Sequence, residues 1–204
     1  LDLVHHFISL NGDESSIQTS PPYLCFDDEV ISRLKTEFCR TNGIDKNTRL
    51  ITIHPGTGGS AINLSLQQYA TLARNIADKA DVFFVITAGP GELDVANKLS
   101  ELLEKVNHTV HESSGGIVDF SHFINICDLF ISGSTGPLHI AGALNVNTAA
   151  FYPARQSATS LRWETLNAEE KRISFSPTEY TGENDMQQID IEQAASDISN
   201  KFFI

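Results

Sequence analysis

Basic residues are scarce in this sequence: 14 Lys and Arg stand against 26 Asp and Glu, a net charge of −12 over 204 residues. So acidic a chain repels polyanions, and no cluster of Lys or Arg offsets it, which excludes nucleic acid as an expected partner. Cysteine is nearly absent. Cys25, Cys39 and Cys127 are odd in number and never fall in a C-x-x-C spacing, which argues against a disulfide framework or a zinc site and makes a reducing, cytoplasmic compartment the expected one. No apolar run approaches the ~20 residues of a membrane span, and no segment reads as a signal peptide. The glycine fingerprints G-x-G-x-x-G and G-x-x-x-x-G-K-[ST] are missing, so neither a nicotinamide module nor a P-loop is supported. A serine hydrolase fails too: Ser132-Gly133-Ser134-Thr135-Gly136 is not G-x-S-x-G, and no acid is evidently placed to orient His139. His5, His6 and His54 have no metal-ligand spacing, so no metal and no cofactor are expected.

What is present is organised around residues 128–144. Leu129-Phe130-Ile131 reads as a buried strand that breaks at Gly133; a helical pattern follows, opened by Ser134 and Thr135 as caps with Pro137 in the first turn. Unpaired N–H groups and the positive end of a helix dipole meet at such a turn, which can hold a phosphate without any basic side chain. His139 stands one helical turn after Thr135 and is expected to face the same mouth, unless it is a buried or capping histidine. Ala141, Gly142 and Ala143 are expected to let the helix lie close on a sheet.

The remaining chain alternates. Leu1, Val4 and Ile8 keep helical spacing, residues 11–22 have linker composition, and Val30, Ile31, Leu34 and Phe38 mark an amphipathic helix closed by Gly43. The chain opens on Leu1 in mid-pattern and reads as a piece of a longer protein, with residues 1–45 a linker and helix and 46–204 the domain proper. Strands are expected at 50–54, 82–86, near 109–110, at 129–131 and 148–152, and a sixth at 172–175, with helices between them and a last helix striped by Ile191, Ala195, Ile198 and Phe202. This alternation implies an α/β, doubly wound parallel sheet of the Rossmann-like kind. Ligands in such sheets sit at the carboxyl ends of the strands. Three polar or glycine-rich turns fall there, at 55–60, 87–92 and 132–136. The first, with Gly56, Thr57, Gly58 and Gly59, either exposes N–H groups to an anion or is a plain flexible turn. Glu92 either accepts from ribose hydroxyls or answers a helix dipole.

His54-Pro55-Gly56-Thr57-Gly58-Gly59-Ser60-Ala61, Ala88-Gly89-Pro90-Gly91-Glu92 and the run from Ser134 to Leu144 together resemble the ADP-heptose:lipopolysaccharide heptosyltransferases of glycosyltransferase family 9. Tyr152-Pro153 through Arg162-Trp163 also resembles one branch of that family. The resemblance implies the second Rossmann-like half of a two-domain GT-B enzyme, the half that binds the nucleotide-sugar donor. It implies an ADP-sugar donor, a lipopolysaccharide-type acceptor, an N-terminal domain outside this sequence, and peripheral contact with the inner membrane. By resemblance Gly56 and Thr57, with Gly58 and Gly59, meet the donor phosphates; Glu92 meets the ribose; backbone near Gly115, Gly116 and Ile117 lines the adenine; Ser134, Thr135, Gly136 and His139 meet the diphosphate and sugar. The resemblance puts the general base in the other domain, so no catalytic residue is expected in this fragment. Two departures stand out: Ser134 replaces an Asp of many members, and Ile62-Asn63 replaces a Lys or Arg, a counter-charge for which Arg155 or Arg162 is the candidate substitute. The rival expectation is a nucleotide-binding module with no transfer activity.

Overall fold

A computed structural model describes residues 20–59, 62–154, 163–178 and 185–203. The expected helix over Leu1, Val4 and Ile8, and residues Ser60, Ala61, Arg155 and Arg162, lie outside the described residues.

Helix α1 (Asp28–Asn42) starts where the Asp27 carboxylate accepts from the N–H groups of Glu29 and Val30, and it ends at Gly43, whose φ of 66° suits glycine. Six strands follow, β1 (Arg49–His54), β2 (Val82–Ala88), β3 (His108–Glu112), β4 (Leu129–Gly133), β5 (Thr148–Phe151) and β6 (Arg172–Phe175), interleaved with α2 (Leu66–Ala77), α3 (Leu93–Leu102), α4 (Gly116–Asn125) and α5 (Gly136–Ala143), and closed by α6 (Ile191–Phe202). They form one sheet in the order β3-β2-β1-β4-β5-β6, parallel at every pairing. The doubly wound α/β sheet expected from the alternation is present, and β3 and β6 are both real strands.

Continuous apolar strands arise because each faces helices on both sides. Ile51, Ile53, Phe84, Ile86, Leu129, Ile131, Ala149 and Phe151 point into a core with Tyr69, Leu72 and Ile76 of α2, Leu99 of α3 and Ile198 of α6. The alternate residues Leu50, Val85, Phe130 and Ala150 point the other way, toward Phe120, Phe123 and Ile124 of α4, Leu138 and Ala141 of α5, and the half-buried Ile31, Leu34 and Phe38 of α1. Gly142 corrects one expectation. Its missing side chain makes room for Thr165, whose Cβ a methyl group there would strike, so this glycine serves the segment after β5, while Ala141 faces the sheet-side core.

Strand order reverses between β1 and β4: the chain winds outward through β2 and β3, returns to β4 beside β1, then winds the other way. Register sets Ile53 beside Ile131 and His54 beside Ser132. The two strands therefore end level, and the loops that leave them diverge. A crevice forms there in folds of this kind.

Candidate functional site

The carboxyl ends of β1, β2 and β4 open on a cavity of about 820 Å³. Thr57 and Gly58 come from the loop after β1, Gly89 to Glu92 from the loop after β2, Gly116 and Ile117 from the start of α4, and Thr135, Gly136 and Pro137 from the start of α5, with His54 and Phe120 deeper in. Thr135 occupies the N-cap position of α5 but makes no capping bond; its hydroxyl lies 3.1 Å from Ser132 Oγ, which itself donates to His54 O. The expected side-chain cap is thus corrected: the threonine hydroxyl turns to the strand end. The first turn of α5 faces the cavity with no side-chain cap, its N–H groups and dipole placed for an anion.

Glu92 is the hub of the opposite wall. Its Oε1 accepts from Gly58 N–H at 2.8 Å and its Oε2 from Gly89 N–H at 3.1 Å, so one carboxylate fastens the loops after β1 and β2 together. A side chain at Gly56 would overlap that carboxylate, which is why the loop needs glycine there. Gly58 and Gly59 have φ of 56° and 76°, and Gly59 N–H donates to Thr57 Oγ1 at 3.2 Å. Two N–H groups of the glycine-rich loop therefore already have acceptors within the protein. Asn63 ties the same loop back: Nδ2 donates to Pro55 O and Oδ1 accepts from Leu64 N–H and the Tyr69 hydroxyl. It fills a site where Lys or Arg was the expected residue, and it does so as a brace.

Sequence reasoning missed His54. The ring is 3% exposed, its Nδ1 lies 3.0 Å from Thr87 Oγ1 and its Nε2 3.6 Å from Glu92 Oε2. Burial pushes its pKa below the ordinary 6.5, with the Glu92 carboxylate opposing.

No protein-family model matches the chain. It is 36% identical over 199 residues to a Haemophilus influenzae protein named "Putative glycosyltransferase", an alignment that covers 97% of this chain and 57% of that one. It is 26% identical over 123 residues to lipooligosaccharide heptosyltransferase 2 of Campylobacter jejuni, covering 59% of this chain and 38% of that one. The chain is a glycosyltransferase homologue. Its fold is that of glycosyltransferase family 9: a Veillonella parvula member superimposes with a TM-score of 0.75 at 15% identity, covering 98% of this chain and 58% of that chain. The E. coli heptosyltransferase WaaC with ADP superimposes with a TM-score of 0.62 at 14% identity, covering 92% and 52%. The chain spans little more than half the length of the first of these relatives, and its parallel sheet is the one expected of a GT-B half.

The residues singled out from sequence separate into two groups. Thr57, Gly58, Glu92, Ile117, Thr135 and Gly136 line the cavity, with Gly56 buried beneath the Glu92 carboxylate. Gly59, Gly115, Ser134 and His139 are not among its lining residues. Gly115 borders an adjoining groove that shares Glu112, Ser113 and Ser114 with the cavity. His139 does not line the cavity as expected; its ring neighbours that of Trp163, centroids 6.1 Å apart, which comes to rest on that flank of α5.

Acid is expected to destabilise this domain. Burial lowers the pKa values of His54, His111 and His139 below 6.5, so the unfolded chain takes up protons before the folded one does. Their contribution to stability is complete above pH 6.5 and is lost as pH falls through the lowered values. Thermal midpoints measured from pH 7.5 down to 5 should fall, with the decline starting near 6.5, above the range where carboxylates titrate. A midpoint flat or rising across that interval would contradict the buried, neutral histidines.

Proposed function

We propose that this chain is the donor-binding half of an inverting glycosyltransferase of the heptosyltransferase type, which takes an ADP-sugar and serves a lipopolysaccharide-core acceptor. Residues 46–204 form the donor domain and 1–45 lead into it; the enzyme works at the cytoplasmic face of the inner membrane, where nucleotide sugars are available. The observation that carries this reading is the uncapped N-terminus of α5 opening on the cavity between β1 and β4, the place where folds of this kind bind nucleotides. Superposition on a heptosyltransferase solved with ADP supports the same choice of ligand.

In this reading the diphosphate lies between Thr57 and the first turn of α5, held by the N–H groups at Thr135 and Gly136. Ile117, 61% exposed at the cavity rim, offers an apolar surface to the adenine beside the backbone of Gly115 and Gly116. Glu92 meets the ribose, since Oε1 has one N–H partner and a carboxylate oxygen can accept a second bond. Ser134, beside the first turn of α5, stands on the side of the transferred sugar, whereas His139 is turned toward Trp163. The chemistry of this half is electrostatic: fixed N–H dipoles stabilise the charge that develops on departing ADP.

Calorimetry with ADP, AMP and adenosine tests the assignment. ADP should bind more tightly than AMP, and adenosine most weakly, because each charge-assisted N–H contact contributes roughly 1.5–3 kcal/mol. Equal affinity for adenosine and ADP would overturn it.

A further inference from the structure

We propose that His54 is a positioning residue of the donor site, whose Nε2–H holds the Glu92 carboxylate, and through it the glycine-rich loop, in the place that receives the ribose. This rests on the reading in which Glu92 meets the ribose hydroxyls. The imidazole has no freedom to do otherwise. It ends β1 at 3% exposure between the rings of Phe120 and Phe130, with centroids at 5.9 and 6.2 Å, and its backbone carbonyl accepts from Ser132 Oγ at 3.0 Å. Such a position at a strand end is built for an apolar side chain, and burying an imidazole there is costly unless its nitrogens are bonded.

Nδ1 has a hydrogen-bond partner and Nε2 faces a carboxylate, and these neighbours decide the tautomer. Burial keeps the ring neutral, so it carries one N–H. With the proton on Nδ1, the Nε2 lone pair would point at the Glu92 carboxylate 3.6 Å away, an electrostatically unfavourable pairing. With the proton on Nε2, the ring points its N–H toward the Glu92 carboxylate and accepts from the Thr87 hydroxyl at 3.0 Å, a shorter use of that hydroxyl's proton than its donation to Ile53 O at 3.5 Å. The chain Thr87–His54–Glu92 thus runs from β2 through β1 to the loop after β2. Glu92 passes the constraint on, since its two oxygens hold Gly58 and Gly89 and Gly56 leaves it the space.

Two substitutions separate the ring nitrogens. The amide of His54→Gln reaches the place of Nε2 and can still donate to Glu92; that of His54→Asn reaches only the place of Nδ1 and can meet Thr87 alone. Calorimetry on the 204-residue chain uses ADP and 2′,3′-dideoxy-ADP, which lacks the ribose hydroxyls. For His54→Asn the affinity for ADP should fall about tenfold, the loss of one electrostatic contact that orders a charged group. His54→Gln should stay within about twofold of wild type, and all three proteins should bind the dideoxy analogue alike. Should His54→Asn fail to fold, His54→Leu, which suits the surrounding rings of Phe120 and Phe130 and carries no N–H, is expected to show the same selective loss. A folded variant that loses ADP and dideoxy-ADP equally, or a Gln variant as weak as the Asn variant, overturns the positioning role. Wild-type protein that binds ADP and its dideoxy analogue equally well removes the ribose contact and this inference with it, while leaving the diphosphate site standing. Wild-type protein that binds neither overturns the functional reading itself.

Discussion

Gly136→Val is expected to abolish ADP binding, weakening it by roughly a hundredfold or more, in a chain that still folds. Gly136 is the first residue of α5, lines the cavity, and a Cβ built on it meets no atom within 4 Å. The valine side chain therefore meets nothing in the protein and, in the proposed reading, occupies the space that takes the diphosphate. At least two charge-assisted contacts to first-turn N–H groups are lost when the phosphate is pushed off, each contributing about 1.5–3 kcal/mol. One local cost accompanies the change. Residue 136 is helical and precedes Pro137, and the proline ring disfavours helical geometry in a preceding residue that carries a Cβ. The double variant Gly136→Val, Pro137→Ala removes that clash and keeps the valine in the cavity. Binding should remain lost in both, and thermal melts should show the double variant recovering any stability that the single one loses. ADP affinity restored in the double variant would mean that the turn is structural and that phosphate binds elsewhere.

Much of this architecture is legible in the sequence for simple reasons. Strands covered on both faces read as unbroken apolar runs, and Val82 to Ile86 and Leu129 to Ile131 are of that kind. The loops that carry ligands announce themselves through glycine and proline, and three of them do meet at one cavity. What stayed hidden depends on strand order. Sequence alternation says that strands are parallel neighbours but not that β1 lies between β2 and β4, and only that order brings Glu92 onto Gly58 and Thr87 onto His54. Glu92, four residues past its strand, offers a sugar contact or a dipole partner as readings; its actual partners are 3 and 34 positions away. His54 opens the first of the family-like motifs yet reads only as a histidine without metal-ligand spacing; its polarity at the end of an apolar run is the physical cue that could have found it. His139 was misplaced for a different reason. Helical periodicity gives the face of α5 correctly but cannot foresee that Trp163, 24 positions later in the chain, comes to rest on that face.

The 204-residue chain, given an ADP-sugar and a lipopolysaccharide-core acceptor, should bind the donor yet release ADP no faster than the uncatalysed reaction. An inverting transfer needs a base near the sugar carbon to take the acceptor's proton, and the carboxylates on this edge of the sheet are committed elsewhere. Glu92 holds the two loops through Gly58 and Gly89. Glu112 ends β3 at the outer margin of the sheet, two strands removed from β4 and away from α5. Asp185 is wholly buried and accepts from Ala154 N–H, out of reach of an acceptor sugar. Asp128 lies at the opposite end of the sheet, where it accepts from Lys35 Nζ and Leu50 N–H. Among the described residues no carboxylate therefore stands free at the first turn of α5. Missing base catalysis alone removes about 10²–10⁴ in rate. An acceptor that is not held against the donor loses still more, because positioning two reactants can contribute roughly 7–11 kcal/mol of the barrier. Donor affinity should survive, since the cavity is built from this half's own loops. The measurement is ADP release with and without acceptor, beside calorimetry on the same preparation. Acceptor-dependent release well above background would place the base in this chain and overturn the division of labour between binding here and deprotonation elsewhere.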